Sequence, residues 1–341
     1  MLDSILDVDM VPSHGTGDIA KHAGPVVARN DKLYVIDCHK CGYAHLLNLP
    51  AQGEVDAYYT TDKFYSTYSP PDWFQRETQE HQAGLWTPYY KWEARHFPEH
   101  ATILDIGCGM GWFSWIVRHT TQHFSVGVEP SEAARTQASR HGMHLLYPTI
   151  TEARKHYPKH ATDSVRMRLV LEHLLDPQAM LLECQQWVGA RGRLELVVPN
   201  ELNPLQNVIR KHITGDRASR GNNVPSRHGT IRGYAPYKDW FVQAPHINYF
   251  TKQSIKGLLE RTGWRIVDEG ATFPTELWWL LGQQYIGNDK LGHQLHMRRL
   301  QFEYHLGPKA FELYRKLYQW FGIGRELLVF AKPLSSGYAT L

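Results

Sequence analysis

A short apolar run followed by three alternating glycines is the stretch of this sequence with the clearest chemical meaning. Residues 102–106 contain one acid, Asp105, and lead directly into Gly107, Gly109 and Gly111. A run of this length bounded by glycines predicts a buried parallel strand, and the apolar segment after it predicts a helix. Glycines let the backbone approach a ligand closely, and the helix start supplies free N–H groups. The pattern therefore predicts a strand–turn–helix site for a nucleotide-like ligand.

The spacing of the glycines separates this turn from two common phosphate-binding motifs. A dinucleotide fingerprint reads G-x-G-x-x-G, whereas the third glycine here comes one residue early, and no Gly-Lys-Ser/Thr ending of a P-loop follows. A second predicted strand, 124–129, ends in Glu129. We expect this carboxylate to accept both hydroxyls of a ribose. The alternative is an acid at a helix start, favoured there by the helix dipole.

Together these motifs resemble those of the class I S-adenosylmethionine (AdoMet)-dependent methyltransferases, whose first motif is an apolar strand, an acid and G-x-G-x-G. The resemblance implies an α/β fold with a Rossmann-like sheet of seven strands, the seventh antiparallel. It also implies that AdoMet is the cofactor. The implied cofactor-binding residues are Asp105, Gly107, Cys108, Gly109, Gly111 and Glu129.

A further motif follows the fourth predicted strand. Residues 171–177 read L-E-H-x-x-D-P and resemble the corresponding motif of the ubiquinone O-methyltransferase-like group. This fold places substrates at the carboxyl ends of its strands, and a histidine there can remove a proton at working pH. We expect His173 to act on the acceptor, oriented by Glu172; the alternative is that His173 only orders the loop. Some relatives bind a divalent metal through E-x-x-E-H, but Leu169 occupies the first position, so we expect no catalytic metal.

The acceptor side of the site is predicted further along the chain. Residues 246–251 read H-x-N-Y-F-T, which resembles the acceptor-side motif of the same group, so His246 and Tyr249 are candidate acceptor contacts. Residues 200–245 carry more basic than acidic side chains among glycines and prolines. Such a segment is typical of a lid over an anionic substrate, although a solvated loop fits equally well.

Near the N-terminus, Cys38 and Cys41 form a C-x-x-C-G sequence, which is half of a zinc knuckle. The local candidates for the missing pair of ligands are His14, His22, His39 and His45. The arrangement resembles a shortened form of the cysteine-rich N-terminal module of some sugar C-methyltransferases. We expect either a structural zinc at this pair or a reduced cysteine pair in a turn.

The predicted domain organisation has two parts with two insertions. An N-terminal accessory region (1–98) holds the C-x-x-C and aromatic-rich helices, and the methyltransferase domain comprises 99–272 and 324–333. The lid (200–245) and a helical insertion (273–323) interrupt it, with helices expected at 277–281, 295–306 and 310–321. The apolar faces of the insertion must pack on the N-terminal helices or on a second protomer, and the second alternative would make the protein a homodimer.

Composition and net charge indicate which partners and which cellular location to expect. The chain has 341 residues, a formal net charge of +3 and four cysteines. A charge this small gives no case for a nucleic-acid partner, no segment is long enough to span a membrane, and the acidic start does not resemble a signal peptide. Few cysteines indicate no disulfide scaffold, so we expect a reducing, cytoplasmic location.

The function that the sequence predicts is AdoMet-dependent methylation of a small molecule, at a hydroxyl of a sugar, glycoconjugate or secondary metabolite. The alternatives are C- or N-methylation of a nucleotide-linked sugar or natural product, and a protein that binds AdoMet without catalysis. A nucleic-acid methyltransferase that flips a base would favour an Asn-Pro-Pro-Tyr sequence after strand four. Leu171-Glu172-His173 stands there instead.

Overall fold

A computed structural model of the chain describes residues 22–30, 32–61, 63–67, 73–214, 224–226, 229–231, 239, 241–242 and 245–334. The first three strands, β1 (Val26–Arg29), β2 (Tyr34–Cys38) and β3 (Tyr43–Leu46), form an antiparallel sheet. Four helices follow: α1 (Gln52–Thr60), α2 (Lys63–Thr67), α3 (Trp73–Gln82) and α4 (Thr87–Ala94). These elements precede the central sheet in the chain.

The core alternates strands and helices, as the sequence pattern predicts. In chain order it contains β4 (Thr102–Ile106), α5 (Trp112–Thr120), β5 (Phe124–Val128), α6 (Glu132–Arg140), β6 (Leu146–Tyr147), α7 (Ile150–Arg154), β7 (Thr162–Arg168), a 3₁₀ turn (Leu171–His173), α8 (Pro177–Trp187) and β8 (Val188–Pro199). The chain continues through α9 (Pro204–Thr214), β9 (Val224–Ser226), β10 (Gly229–Ile231), β11 (Asn248–Tyr249), α10 (Lys252–Arg261), β12 (Trp264–Ala271), α11 (Glu276–Leu280), α12 (Asp289–His305), α13 (Pro308–Phe321) and β13 (Glu326–Pro333).

The central sheet has seven strands in the order β12-β13-β8-β7-β4-β5-β6. Strands β4 to β8 pair in parallel, whereas β13 runs antiparallel to both β8 and β12. The expected Rossmann-like sheet with an antiparallel seventh strand is therefore confirmed. Its parallel strands end on the same edge, and the glycine turn and the 3₁₀ turn both lie there.

The helical insertion packs against the N-terminal helices. Tyr89 and Trp92 of α4 share one buried cluster with Leu300 of α12 and Phe311 of α13. The structure thus shows the first of the two expected partners for these apolar faces. Helix α12 begins six residues before the expected start, because Asn288 caps its N-terminus and its polar first turn lacks an apolar period.

One short strand joins the N-terminal sheet to the core. Strand β11 pairs antiparallel with β3, so that Asn248 faces His45 and Tyr249 faces Ala44. The predicted acceptor-side segment is therefore the fourth strand of the N-terminal sheet. Within the part of the chain that the structure describes, no helix combines the length and the apolar character needed to cross a bilayer.

Candidate active site

The glycine turn adopts backbone conformations that other residues rarely accept. The φ angles of Gly107, Gly109 and Gly111 are +71°, +53° and +75°. A Cβ added at Gly107 would lie 2.3 Å from the Val170 side chain, whereas one at Gly109 would meet nothing closer than the Tyr65 hydroxyl, at 3.9 Å. Gly109 therefore leaves open space on the face of the turn where a ligand would lie.

Glu129 connects this turn to the start of α6. Its two carboxylate oxygens accept hydrogen bonds from the backbone N–H of Gly109 (3.1 Å) and of Ser131 (2.9 Å). Burial raises the pKa of Glu129 to about 7. Each oxygen keeps a further lone pair, so the carboxylate can still accept the two hydroxyls of a ribose. The donors and acceptors of the turn therefore fit the cofactor that the sequence implies.

A cavity of about 640 Å³ opens beside the turn. Gly107, Cys108, Gly109 and Glu129 line one end of it, and His173 lines it at the adjacent strand end. Aromatic residues of the N-terminal helices and two histidines of α12 complete the wall: Tyr59, Phe64, Tyr65, Trp86, His293 and His296. The cavity is thus built from the core, the N-terminal region and the helical insertion together.

Asp105 does not line this cavity, and its role in cofactor binding stays a prediction. Its side chain is fully buried beneath the turn, 3.0 Å from the Arg166 guanidinium. Arg166 also pairs with Glu93 at 3.3 Å and Glu195 at 3.2 Å. The position of Asp105 therefore supports the turn from below. Gly111 is likewise absent from the lining; it ends the turn and precedes the first residue of α5.

The same network explains two arginines in the buried strand β7. Arg168 pairs with Glu93 at 2.9 Å and with Glu326 at 2.8 Å. The two arginines thus share Glu93 of α4, and their other carboxylate partners lie on three strands. Arginines at this depth need such partners because an isolated buried charge would be costly. Both arginines also line the cavity.

Three of the four predicted catalytic residues come together at the end of β7. Ligand atoms of Glu172, His173 and His246 all lie within 4.8 Å of one another, and the two imidazole rings are 5.0 Å apart between centres. His173 donates from Nδ1 toward the carbonyl of Pro245 at 3.2 Å if it is the Nδ1–H tautomer, which leaves its Nε2 lone pair free. Of the three, only His173 lines the cavity. The absence of a catalytic metal stays a prediction.

The two histidines have opposite pKa shifts. Burial, reinforced by His246 nearby, lowers the pKa of His173 to about 3. Burial also lowers the pKa of His246, but Glu201, whose carboxylate is 3.1 Å from Nδ1, outweighs it and the net pKa is raised. Burial raises the pKa of Glu172 to about 8. At neutral pH, His173 is therefore a neutral imidazole and Glu172 is predominantly a neutral acid.

Tyr249 lies apart from the cavity. Its ring centre is 6.3 Å from that of His246, and its side chain packs with Phe241, Ala44 and Leu46 in the core of the N-terminal sheet. The structure thus gives Tyr249 a packing position, and its contact with the acceptor stays a prediction. Its short strand, β11, nevertheless follows His246 directly.

The predicted lid falls partly outside the described residues. Within the described part of it, Arg210 pairs with Asp239 at 2.7 Å and donates to the carbonyl of Val27 at 3.1 Å. This cation of the expected lid therefore binds to the N-terminal sheet. The described lining of the cavity contains three arginines and four glutamates, so its charge does not by itself favour an anion.

The two N-terminal cysteines lie beside two of the four candidate histidines. Ligand atoms of His22, Cys38, Cys41 and His45 all lie within 4.8 Å of one another. His22 Nδ1 is 3.5 Å from Cys38 Sγ, 3.3 Å from Cys41 Sγ and 3.1 Å from His45 Nε2. His14 lies outside the described residues, and His39 is not part of the group.

Local backbone features bring these four side chains together. Gly24 lies so close to β2 that an added Cβ would be 1.8 Å from the carbonyl oxygen of Asp37, which lets His22 reach the cysteines. Gly42, at φ +68°, closes the turn after Cys41. The Cys41 N–H points at Cys38 Sγ at 3.5 Å. His45 Nδ1 lies 2.8 Å from the carbonyl of Leu46, which directs its Nε2 lone pair into the group.

Several residues of the site were not anticipated from the sequence. Glu77, Glu80 and His296 belong to helices α3 and α12, and their contribution to the cavity depends on tertiary packing. Burial raises the pKa of Glu77 to about 8, and His296 lies 3.2 Å from Glu80. No local motif in the sequence marks these residues.

Comparison with known proteins agrees with this geometry. A family profile described as "Methyltransferase domain" matches residues 78–269, which is more than half of the chain. The ubiquinone biosynthesis O-methyltransferase of Salmonella arizonae is 33% identical over 97 residues, covering 27% of this chain and 40% of that protein. The tRNA U34 carboxymethyltransferase of Psychromonas ingrahamii is 32% identical over 124 residues, covering 33% and 37%. The chain thus spans less than half the length of these curated relatives.

Among solved structures, a SAM-dependent methyltransferase from Archaeoglobus fulgidus aligns with a TM-score of 0.45 and 17% identity, covering 73% of this chain and 93% of that one. The family match, together with the sheet order and the glycine turn, defines the class of protein. The chain belongs to the methyltransferase domain family and is a class I AdoMet-dependent methyltransferase.

Proposed function

We propose that this protein transfers the methyl group of AdoMet to a hydroxyl of a small molecule, such as a sugar, a glycoconjugate or a secondary metabolite. The observation that carries the proposal is the position of His173. Its imidazole lines the same cavity as Gly107, Gly109 and Glu129, so a base and the cofactor turn face one space. When bound, AdoMet supplies an activated methyl group on a sulfonium, and the chain's own residues align the acceptor and remove its proton.

His173 is the proposed general base. Its low pKa keeps the imidazole neutral at working pH, and the Pro245 carbonyl holds the ring so that Nε2 can accept a proton from the acceptor hydroxyl. Glu172 Oε1 is 3.7 Å from Nε2, so this carboxyl group lies next to the nitrogen that would take up the proton. Pairs of titratable groups with pKa values pushed apart are a frequent arrangement in acid–base sites.

His246 is proposed as the orienting partner. Paired with Glu201, it holds a positive charge to a higher pH than an ordinary histidine. That charge lies beside Glu172 and His173, so it stabilises negative charge that develops on the acceptor oxygen as the proton leaves. Tyr249 supports His246 by packing, without contact with the acceptor.

The test of this function is a pair of single variants measured on the true acceptor. The acceptor is to be found by mass spectrometry of metabolites incubated with the protein and methyl-labelled AdoMet. We expect His173→Gln to lower turnover by about 10²–10⁴, with unchanged affinity for the product cofactor S-adenosylhomocysteine (AdoHcy) by calorimetry. His246→Gln should lower it less.

Three outcomes would replace this proposal. Near-normal turnover in both variants would place the base elsewhere. Label transferred to nitrogen or carbon would favour the N- or C-methylation of a nucleotide-linked sugar or natural product. Binding of AdoHcy with no labelled product would favour a non-catalytic role, and methylation of RNA with steep salt dependence would favour a nucleic-acid acceptor.

We also propose a structural zinc held by His22, Cys38, Cys41 and His45. Ligands about 2.3 Å (sulfur) and 2.0–2.1 Å (nitrogen) from a tetrahedral zinc lie about 3.5 Å apart. The distances from His22 Nδ1, 3.1 to 3.5 Å, match those tetrahedral edges. Four protein ligands leave no open position, which is typical of structural zinc. The reduced cysteines of this chain also support the proposed cytoplasmic location.

Elemental analysis of the tag-free protein tests the zinc proposal. We expect about one zinc per chain, lost in the Cys38→Ser/Cys41→Ser double variant and retained in Cys184→Ser, whose buried thiol lies outside the group. Zinc that survives the double variant would contradict this location. A second equivalent of metal that Glu172→Gln removes would contradict the prediction of a metal-free active site.

A further inference from the structure

We propose that Asn248 is a positioning residue, through which the N-terminal sheet holds the turn that carries Glu172 and His173. The proposal deepens the proposed function, because it rests on His173 acting as the base. It also gives the N-terminal accessory region a role in the reaction that the glycine turn does not need.

The side-chain amide of Asn248 binds both ends of the 3₁₀ turn. Its Nδ2 donates to the carbonyl of Leu174 at 2.6 Å and to the carbonyl of Leu171 at 3.3 Å. Those two carbonyls bracket Glu172 and His173. Asn248 is only 2% exposed, so water does not replace these bonds. Both N–H donors of the Asn248 amide thus bind the same turn.

The backbone next to Asn248 adds two further contacts with the same turn. The N–H of Ile247 donates to the carbonyl of Glu172 at 2.8 Å, and the carbonyl of Pro245 lies 3.2 Å from His173 Nδ1. Residues 245–248 therefore fix both the backbone of the turn and the imidazole ring that it presents to the cavity.

The N-terminal sheet holds this segment in turn. Strand β11 pairs with β3, where Asn248 faces His45, and the N–H of Leu46 donates to the carbonyl of Ile247 at 2.9 Å. His45 is one of the four proposed zinc ligands, and Arg261 of α10 donates to the carbonyl of Cys41 at 2.6 Å. The segment from Cys38 to His45 is thus bound to α10 through Cys41, and it binds the β11 segment through β3.

The turn has little support of its own, which makes it depend on Asn248. It spans three residues, and its N-cap, Val170, provides no side-chain hydrogen bond. Its internal bonds are His173 N–H to Val170 at 2.9 Å and Leu174 N–H to Leu171 at 3.4 Å. A leucine at position 248 would remove the Asn248 donor from the Leu174 carbonyl and leave the Leu171 carbonyl with only the 3.4 Å bond from Leu174 N–H, and an aspartate would place a carboxylate against both carbonyls.

The test compares Asn248→Leu and Asn248→Asp with Asn30→Leu. Asn30 directly follows β1 of the N-terminal sheet and donates to the carbonyl of Val242, but no hydrogen bond joins it to the turn among the described residues. We expect the amides of His173 and Leu174 to exchange with deuterium about tenfold faster or more in both Asn248 variants, with amides of β8 unchanged. The imidazole NMR signals of His173 and His246, assigned with His173→Gln and His246→Gln, should move by more than a linewidth. AdoHcy affinity and zinc content should stay at their wild-type values.

Two results would overturn the proposal. Wild-type exchange at His173 and Leu174, with unmoved imidazole signals, would show that the turn holds itself. Faster exchange that extends equally into β8, or that Asn30→Leu reproduces, would show only a loss of global stability. Failure of the proposed function appears separately, as unchanged turnover in His173→Gln, and does not affect the exchange measurement.

Discussion

At the scale of single residues, His173 and His246 lie side by side with pKa values shifted in opposite directions. His173 has no carboxylate within hydrogen-bonding distance and is buried, whereas His246 contacts Glu201 at 3.1 Å. Because the surroundings and not the residue type set the pKa, removing the Glu201 carboxylate should lower the pKa of His246.

The His246–Glu201 pair predicts a specific pH dependence of stability. The folded pKa of His246 is raised above its unfolded value of about 6.5, so the pair contributes its full stability below that pH and loses it as pH rises through the folded pKa. The difference in melting temperature between wild type and His246→Gln should therefore be largest near pH 6 and shrink toward pH 9. Glu201→Gln should show the same trend. A difference that grows with pH would contradict the pairing.

Substitutions at Gly109 and Gly142 can separate an effect on cofactor binding from an effect of backbone strain. A side chain there would project into the cavity, whereas Gly142, which also has a positive φ (+82°), has nothing within 4 Å of an added Cβ. We expect Gly109→Leu and Gly142→Leu each to cost about 1–2 kcal/mol of stability. Only Gly109→Leu should weaken AdoHcy binding, by tenfold or more in calorimetry. Equal affinities in the two variants would remove the turn from the cofactor site.

At the scale of secondary-structure elements, the sequence was most informative where the signal is local. The strand–turn–helix unit at 102–120 and the order of the core strands follow from short apolar runs and glycines, and the structure has them. The sequence offers four histidines as partners of the two cysteines and does not select a pair, because His22 reaches Cys38 across 16 residues through a close approach at Gly24.

Contacts between elements that are far apart in the chain could not be predicted from the sequence. The pairing of β3 with β11 joins residues about 200 positions apart, and nothing in either strand specifies the other. The ion pairs of Arg166 and Arg168 with Glu93 likewise join β7 to the distant helix α4, and no local sequence pattern predicts them. The ion pair between Asp105 and Arg166 could not be predicted either, since Arg166 lies on the neighbouring strand.

Helix α13 contains a buried charge whose replacement should not destabilise the protein. Arg315 is fully buried, and none of its nitrogens has a hydrogen-bond partner among the described residues, although its guanidinium lies 4.4 to 5.2 Å from the ring centres of Trp92, Tyr89 and Phe311. Burial of a charge costs several kcal/mol, whereas a desolvated cation–π contact returns about 2.

We therefore expect Arg315→Met to be neutral or to stabilise the protein by about 1–4 kcal/mol in urea unfolding. Arg315→Ala should be about 2–5 kcal/mol less stable than Arg315→Met, because it leaves a cavity between α13 and α4. A large loss of stability in Arg315→Met would show that the guanidinium itself holds the helix in place.

At the scale of the whole molecule, α13 predicts how two copies of the chain associate. Its inner face packs on α4 and β12, but Leu313, Leu317 and Trp320 are 69%, 45% and 73% exposed. Their spacing of four and three residues places them in one stripe along the helix, next to the exposed Phe321. An apolar stripe of this kind is the surface that a helix presents to a like helix, and a two-fold axis would bury it against its own copy.

The prediction is a dimer that depends on this stripe. Wild-type protein should sediment as a dimer at micromolar concentration, and the Leu317→Glu/Trp320→Glu double variant should sediment as a monomer, because burying two carboxylates in an apolar contact is strongly unfavourable. Leu182→Glu on α8, which replaces a leucine that is 44% exposed, is the matched control and should remain dimeric. AdoHcy affinity should be the same in all three proteins, since neither Leu317 nor Trp320 lines the cavity. A wild-type monomer, or a dimer that survives the double variant, would show that copies of the chain do not meet through α13.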